Sequence, residues 1–87
     1  MWKLKLTKKA VRSMQRLPDR IQEIILEVMH CLAEHGPMPE GWDVKKLGQF
    51  EYRIRLNYRY RMVYKIDKGT LVIEIFYIGH RKDAYRK

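Results

Sequence analysis

The chain has 87 residues, 46% of them hydrophobic, and carries 19 Lys and Arg against 10 Asp and Glu, a net charge of +9 with histidine neutral. That length makes a single domain, residues 1–87, with a core two layers thick and no deep internal cavity, so any chemistry has to sit on a surface or in a shallow groove. The lone cysteine, Cys31, excludes an internal disulfide and fits a reducing cytoplasm. No apolar run approaches the roughly 20 residues of a membrane span, and the lysines threaded through residues 1–10 match neither an anchor nor a signal peptide.

Trp2, Leu4 and Leu6 alternate with Lys3 and Lys5, the two-residue period of a half-buried strand. Thr7 suits the N-cap of a helix whose apolar positions Ala10, Val11, Met14 and Leu17 recur at helical spacing, with Lys8, Lys9, Arg12, Ser13 and Arg16 on the other side. Pro18 interrupts that helix. Because proline is tolerated in a first turn, and Asp19 and Glu23 suit the positive end of a helix dipole, a second helix starts here, with Ile21, Ile24, Ile25, Val28, Met29 and Leu32 as its apolar stripe. Gly36, Pro37 and Pro39 end it and make a loop through Trp42.

From about Leu47 the period falls to two. Glu51, Arg53 and Arg55 alternate with Tyr52, Ile54 and Leu56; after a turn near Asn57, Arg59, Arg61 and Lys65 alternate with Tyr60, Met62, Tyr64 and Ile66, which predicts an antiparallel hairpin. Asp67, Lys68 and Gly69 make a second turn, and the nearly continuous apolar run Leu71 to Ile78 predicts a strand inside the sheet. The expected fold is α+β, strand, two helices, then three strands, with the helical hairpin of residues 7–35 on one face of a twisted, mainly antiparallel sheet. Its expected core is Leu6, Val11, Met14, Leu17, Ile21, Ile25, Val28, Leu32, Ile54, Leu56, Met62, Tyr64, Ile73 and Ile75.

Charge is distributed unevenly. Residues 1–16 hold six basic and no acidic side chains; residues 19–43 hold Arg20 against Asp19, Glu23, Glu27, Glu34, Glu40 and Asp43; residues 51–87 hold ten basic against four acidic. Such a surface attracts polyanions, nucleic acid first, by releasing their condensed counterions. Strand parity puts Arg53, Arg55, Arg59 and Arg61 on one sheet face, where four guanidiniums repel one another unless a polyanion or an acidic protein relieves them; the alternative is a solvated face that prevents edge aggregation.

Past the last strand, Gly79-His80-Arg81-Lys82-Asp83-Ala84-Tyr85 collects an imidazole, a guanidinium and a phenol. Cleaving RNA through its own 2′-hydroxyl needs such groups: a base for that proton, cations for the charge on phosphorus, and a donor for the departing 5′-oxygen. A docking tail has the same composition. Metal chemistry is poorly supported, since His30 and His35 are five apart on a helix and no cysteine or carboxylate cluster joins them. No glycine-rich phosphate loop and no nucleophile elbow is present, so no cofactor is expected.

The runs Lys46-Leu47-Gly48, Tyr52-Arg53-Ile54-Arg55-Leu56, Tyr58-Arg59-Tyr60-Arg61-Met62-Val63-Tyr64 and Ile78-Gly79-His80-Arg81-Lys82-Asp83-Ala84-Tyr85, in this order, resemble the RelE/ParE superfamily of type II toxin-antitoxin toxins. The resemblance spans nearly the whole chain. It implies a small α+β toxin that, in its RelE-like branch, enters the ribosomal A site and cuts messenger RNA without a metal, and that binds a cognate antitoxin. Arg61 then looks like the arginine that holds the scissile phosphate, Arg81 like the one that serves the leaving oxygen, and Tyr85 like the terminal tyrosine acting as base. Arg53 and Arg55 stand where RelE has lysines. With Arg59 and Lys82 they read as RNA-binding groups, because a guanidinium holds phosphate bidentately but hardly ever gives up its proton.

His80 is a second candidate for the base, since imidazole titrates near neutrality. A straight last strand places His80 on the face of Glu74 and Phe76 and sends Arg81 with Tyr77 to the other, unless Gly79 breaks the register. Two alternatives share the fold: a ParE-like poison of DNA gyrase and a noncatalytic member that only binds an antitoxin. The combination of Arg53, Arg55, Arg61, Arg81 and Tyr85 favours the nuclease.

Overall fold

Thr7 does at the start of the first helix what its position predicts: its Oγ1 accepts a hydrogen bond from the N–H of Ala10 at 3.1 Å, filling one of the donors a helix leaves open. In the computed structural model, which describes residues 1–67 and 69–83, strand β1 (Lys3–Leu6) leads into α1 (Lys8–Gln15). Pro18 caps α2 (Asp19–His35), and β2 (Val44–Lys46), β3 (Glu51–Arg55), β4 (Tyr60–Asp67), β5 (Val72–His80) and a short 3-10 turn (Arg81–Asp83) follow. β2 is a strand that the alternation did not mark. Three residues are too short for a period to show, and its pairing of Val44 with Ile54 and Lys46 with Tyr52 is a tertiary event.

The five strands lie in the order β1-β5-β4-β3-β2, with β1 parallel to β5 and the rest antiparallel. β5 is therefore internal, as its continuous apolar run requires. The helices cover the face carrying Tyr52, Ile54, Met62, Tyr64, Ile66, Ile73, Ile75 and Ile78, against which α2 sets Ile21, Ile25, Val28 and Leu32. In α1 the buried residue is Ala10, at 1% exposure, while Val11, expected in the core, is only half-buried: the short helix lies close enough to the sheet that a methyl group fills the gap. Leu6, Met14 and Leu17 pack at the margin.

Two contacts close the helix layer onto the sheet. The N–H of Trp2 donates to the carbonyl of Ala33, and the Trp2 indole lies so near Gly36 that a Cβ there would sit 2.8 Å from Nε1; Gly36 also has φ +88°. Glycine is the one residue that meets both demands. Tyr64, fully buried and stacked on Tyr52 at 5.7 Å between centroids, donates its hydroxyl to the carbonyl of Pro37. Burial, reinforced by Tyr52, pushes that phenol well above its ordinary value, so it remains a neutral donor that ties the loop after α2 to the sheet.

The other face of the sheet divides into two halves. Toward β1, charges alternate across four strands: Glu51 lies opposite Lys65, Lys65 opposite Glu74, and Glu74 opposite Lys5, with Lys65 Nζ 3.3 Å from Glu74 Oε1. Toward β2 the same face carries Arg53, Arg55 and Arg61.

Ile25 and Val28 are 0% exposed, so replacing either with aspartate strands a carboxylate in the core at a cost of several kcal/mol, comparable to the whole stability of about 5–15 kcal/mol typical of a domain. Leu26, on the same helix at 60% exposure, should tolerate aspartate with a change within about 0.5 kcal/mol. Chemical denaturation of the three variants checks the placement; equal midpoints would contradict it.

Candidate functional site

The turn between β3 and β4 is built on one side chain. Asn57 Oδ1 accepts from the N–H groups of Arg59 and Tyr60, both at 2.8 Å, and the Leu56 N–H donates to the carbonyl of Tyr60 at 3.0 Å. This is the local cap for which asparagine is favoured in turns. From β4, Arg61 Nη1 reaches back to the carbonyls of Asn57 and Tyr60, clamping the loop from its outer side. The loop then presents Tyr58, 68% exposed, with the Arg59 guanidinium 5.4 Å over its ring.

The end of β5 meets this loop. The N–H of Arg81 donates to the carbonyl of Arg59 at 2.8 Å, His80 pairs with Tyr60 across the ladder, and their rings meet edge to face at 6.2 Å. The result is a shallow cleft of about 330 Å³ lined by Tyr58, Arg59, Tyr60, His80, Arg81 and Lys82. Four of the residues singled out in the sequence, Arg59, His80, Arg81 and Lys82, are brought together here.

His80 reaches the cleft because the strand does not run straight. Tyr77 lies opposite Val63 but Ile75 lies opposite Tyr64, so Phe76 is an extra residue and the sidedness of β5 reverses there. The break falls at Phe76, not at Gly79. Ahead of it Ile73 and Ile75 face the helices; after it Ile78 and His80 do, while Tyr77 and Gly79 turn to the arginine face. Gly79 makes room for a crossing side chain. A Cβ there would lie 2.7 Å from the Tyr77 hydroxyl, which passes over it to donate to the carbonyl of His80 at 2.9 Å. His80 Nδ1 in turn accepts from the N–H of Lys82 at 3.1 Å. A ring whose Nδ1 accepts carries its proton on Nε2 when neutral, so His80 offers the cleft a donor.

The expected row of four arginines is not one exposed face. Arg59 belongs to the turn and lines the cleft. Arg53 and Arg61 are each only 6% exposed, and Arg55 lies opposite Arg61 with its side chain about half exposed. Their repulsion is met in part from within the chain: Asp43 places Oδ2 3.3 Å from Arg55 Nε and Oδ1 3.7 Å from Arg53 Nη1. Asp43 and Tyr58 are the residues that sequence reading passed over. Asp43 read as part of the acidic middle segment, and only the pairing of β2 with β3 brings it beside the arginines; Tyr58 was visible as an aromatic next to Arg59 at a turn. Tyr85 lies outside the described residues. His30 and His35 both contact Glu34, at 3.1 and 3.4 Å, on the exposed side of α2, and among the described residues no three metal-ligating side chains converge.

Two helices on one face of an open five-stranded sheet, with a basic cleft where β4 and β5 meet, define a small α+β protein suited to a polyanion. The sequence profile of the family described as "ParE toxin of type II toxin-antitoxin system, parDE" matches residues 4–85. A chain of the archaeal RelE-RelB complex from Pyrococcus horikoshii OT3 is 30% identical, with 95% of this chain and 98% of that chain covered and a TM-score of 0.82. The isolated E. coli RelE toxin (22% identity, 92% and 84% covered, TM-score 0.75) and a chain of the RelB-RelE antitoxin-toxin complex from Methanococcus jannaschii (23%, 93% and 94%, TM-score 0.75) share the fold. Among curated proteins none matches. The chain belongs to the RelE/ParE superfamily of toxins of type II toxin-antitoxin systems.

Replacing Asn57 with alanine removes the acceptor of two hydrogen bonds, which at about 0.5–1.5 kcal/mol each predicts a loss of about 1–3 kcal/mol. A denaturant titration measures it; a midpoint equal to that of the unaltered protein would mean the turn does not depend on this cap.

Proposed function

We propose that this toxin is a ribosome-dependent messenger RNA endonuclease that cleaves RNA through its own 2′-hydroxyl and so halts translation. The observation that carries the reading is the cleft, one open hollow lined together by His80, Arg81, Lys82, Arg59 and two tyrosines. Attack by the 2′-oxygen on phosphorus forms a 2′,3′-cyclic phosphate and breaks the bond to the 5′-oxygen. Negative charge grows on the phosphoryl oxygens and the leaving oxygen, and fixed cations stabilise it most where water is thin. Arg81 and Lys82, both exposed, take the phosphate. Arg61 clamps the loop that positions Tyr58 and Arg59 and adds its charge from below.

The Lys82 N–H on Nδ1 favours His80 as the hydrogen-bond donor to the leaving oxygen and leaves the 2′-hydroxyl proton to Tyr85. Arg53 and Arg55, on the far side of the strand pair, hold flanking phosphates. A cognate antitoxin is the expected protein partner, in keeping with RelE-RelB complexes among the similar structures. Its acidic segment would suit a chain of net charge +9. Among the described residues no helix is long and apolar enough to cross a membrane.

The match to the ParE profile favours a second reading, inhibition of DNA gyrase on the same fold. Brief expression without antitoxin separates the two: arrested protein synthesis with new messenger RNA 5′ ends supports the nuclease, whereas rapid DNA breakage with intact messages supports the gyrase poison.

In single-turnover cleavage on ribosomes, Arg81→Ala and Tyr85→Phe should each slow the reaction by about 10² or more with ribosome binding largely kept. His80→Gln, whose amide nitrogen overlies Nε2 and still donates, should stay within about tenfold of the unaltered enzyme, while His80→Ala falls further. If Tyr85→Phe cleaves normally and His80→Gln is slow, the base is His80; if none of these changes matters, the tail docks and does not catalyse.

A further inference from the structure

Arg53 is a strained point of the molecule in electrostatic terms. It sits in the middle of β3, 6% exposed, and its Nε and Nη1 are buried without a hydrogen-bond partner. A buried guanidinium with open donors is costly unless something fills them. The carboxylate that approaches it, from Asp43, falls short: Oδ1 is 3.7 Å from Nη1, outside hydrogen-bond reach, because Oδ2 is engaged 3.3 Å from Arg55 Nε. One planar carboxylate is stretched between two guanidiniums and saturates neither.

Asp43 does not need that carboxylate to stay in place. Its own carbonyl accepts from the N–H of Arg55 at 3.0 Å, just before β2 pairs with β3, and its side chain is 54% exposed. The main chain fixes the residue while the carboxylate is free to turn toward water. Lys45, exposed and directly opposite Arg53 on β2, adds a third cation to the same face. With the Asp43 carboxylate turned away, a phosphodiester, whose two unbridged oxygens are set tetrahedrally, can bind Arg55 with one and close on Arg53 Nη1, the buried donor that Oδ1 approaches without bonding, with the other.

We propose that Asp43 is a built-in stand-in for an RNA phosphate: it spans Arg53 and Arg55 in the free protein and is displaced when a phosphate of the bound strand takes both guanidiniums. The inference rests on the reading of the arginine face as an RNA-binding surface. Asp43 then acts as a gate on that subsite, holding the two arginines aligned while lowering the affinity of the free toxin for polyanions in general.

The test is the affinity of the full chain for a short 2′-O-methyl oligoadenylate, which offers phosphates but cannot be cleaved, measured across a salt series. Asp43→Asn should tighten binding by about three- to tenfold and steepen the log-log salt dependence by about 0.7 to 1.4, one to two phosphate contacts at about 0.7 each on a single strand. Asp43→Ser should move both quantities the same way. Glu74→Gln makes the same change in net charge on the same sheet face, beside Lys65, and should give a smaller gain with no change in slope. Adding Arg55→Ala to Asp43→Asn should erase most of the gain, since the two effects act through one contact.

Binding by Asp43→Asn equal to or weaker than that of the unaltered chain, or a gain matched by Glu74→Gln, would overturn the proposal. If Arg55→Ala alone weakens binding but Asp43→Asn does not tighten it, the stand-in role fails while the RNA-binding face survives. If Arg55→Ala leaves affinity unchanged, that reading of the face falls and the role of Asp43 falls with it.

Discussion

β4 and β5 pair along Tyr60–Asp67 and Val72–His80, and the extra residue Phe76 between the two stretches of their ladder sets most of what this molecule can do. Had β5 kept one sidedness, Ile78 would leave the core and His80 would turn to the arginine face. The shift lets a single strand present Ile73 and Ile75 to the helices, then Ile78, and finally bring His80 beside Tyr60 at the rim of the same face. The cleft exists because of that one irregularity, which is the use such bulges commonly have beside functional sites.

Around this register the basic end is assembled from backbone contacts more than from side-chain pairs. Asn57 folds the turn, Arg61 holds its carbonyls, and the N–H of Arg81 ties the end of β5 to Arg59. Tyr77 crosses Gly79 to hold the carbonyl of His80, while the N–H of Lys82 holds the ring. The cleft is therefore positioned by the main chain and by the side chains of Asn57, Arg61 and Tyr77, which leaves Arg59, Arg81 and Lys82 exposed.

The far side of the sheet shows the same chain treating charge in two ways. From Glu51 through Lys65 and Glu74 to Lys5 the signs alternate and the surface satisfies itself, even though a hollow of about 700 Å³ opens over it. Toward β2, Arg53, Arg55 and Arg61 lie together, two of them buried, with Asp43 as the acid drawn among them. Positive charge on this face is therefore concentrated toward β2, a distinction the net charge alone does not show.

The sequence by itself determined the layers and their order, because alternation in the strands, the 3.6-residue stripe of α2, the Thr7 cap and the stop at Gly36 are local signals that tertiary packing had no reason to override. It also showed the residues that carry the family resemblance and the consecutive run His80, Arg81 and Lys82, but it set Arg59 in a row with Arg53, Arg55 and Arg61, and only the structure moved Arg59 into the cleft beside that run. What only the tertiary structure decided depends on pairing between distant segments. The three-residue β2 exists because β3 offers it an edge, and that pairing brings Asp43 to Arg53 and Arg55. The burial of Arg53 and Arg61 and the absorption of Arg61 into the turn follow from packing that parity does not see. The reversal at Phe76 puts Ile75 and Ile78 under the helices and leaves Phe76 and Tyr77 half-buried, and no period in the chain announces it.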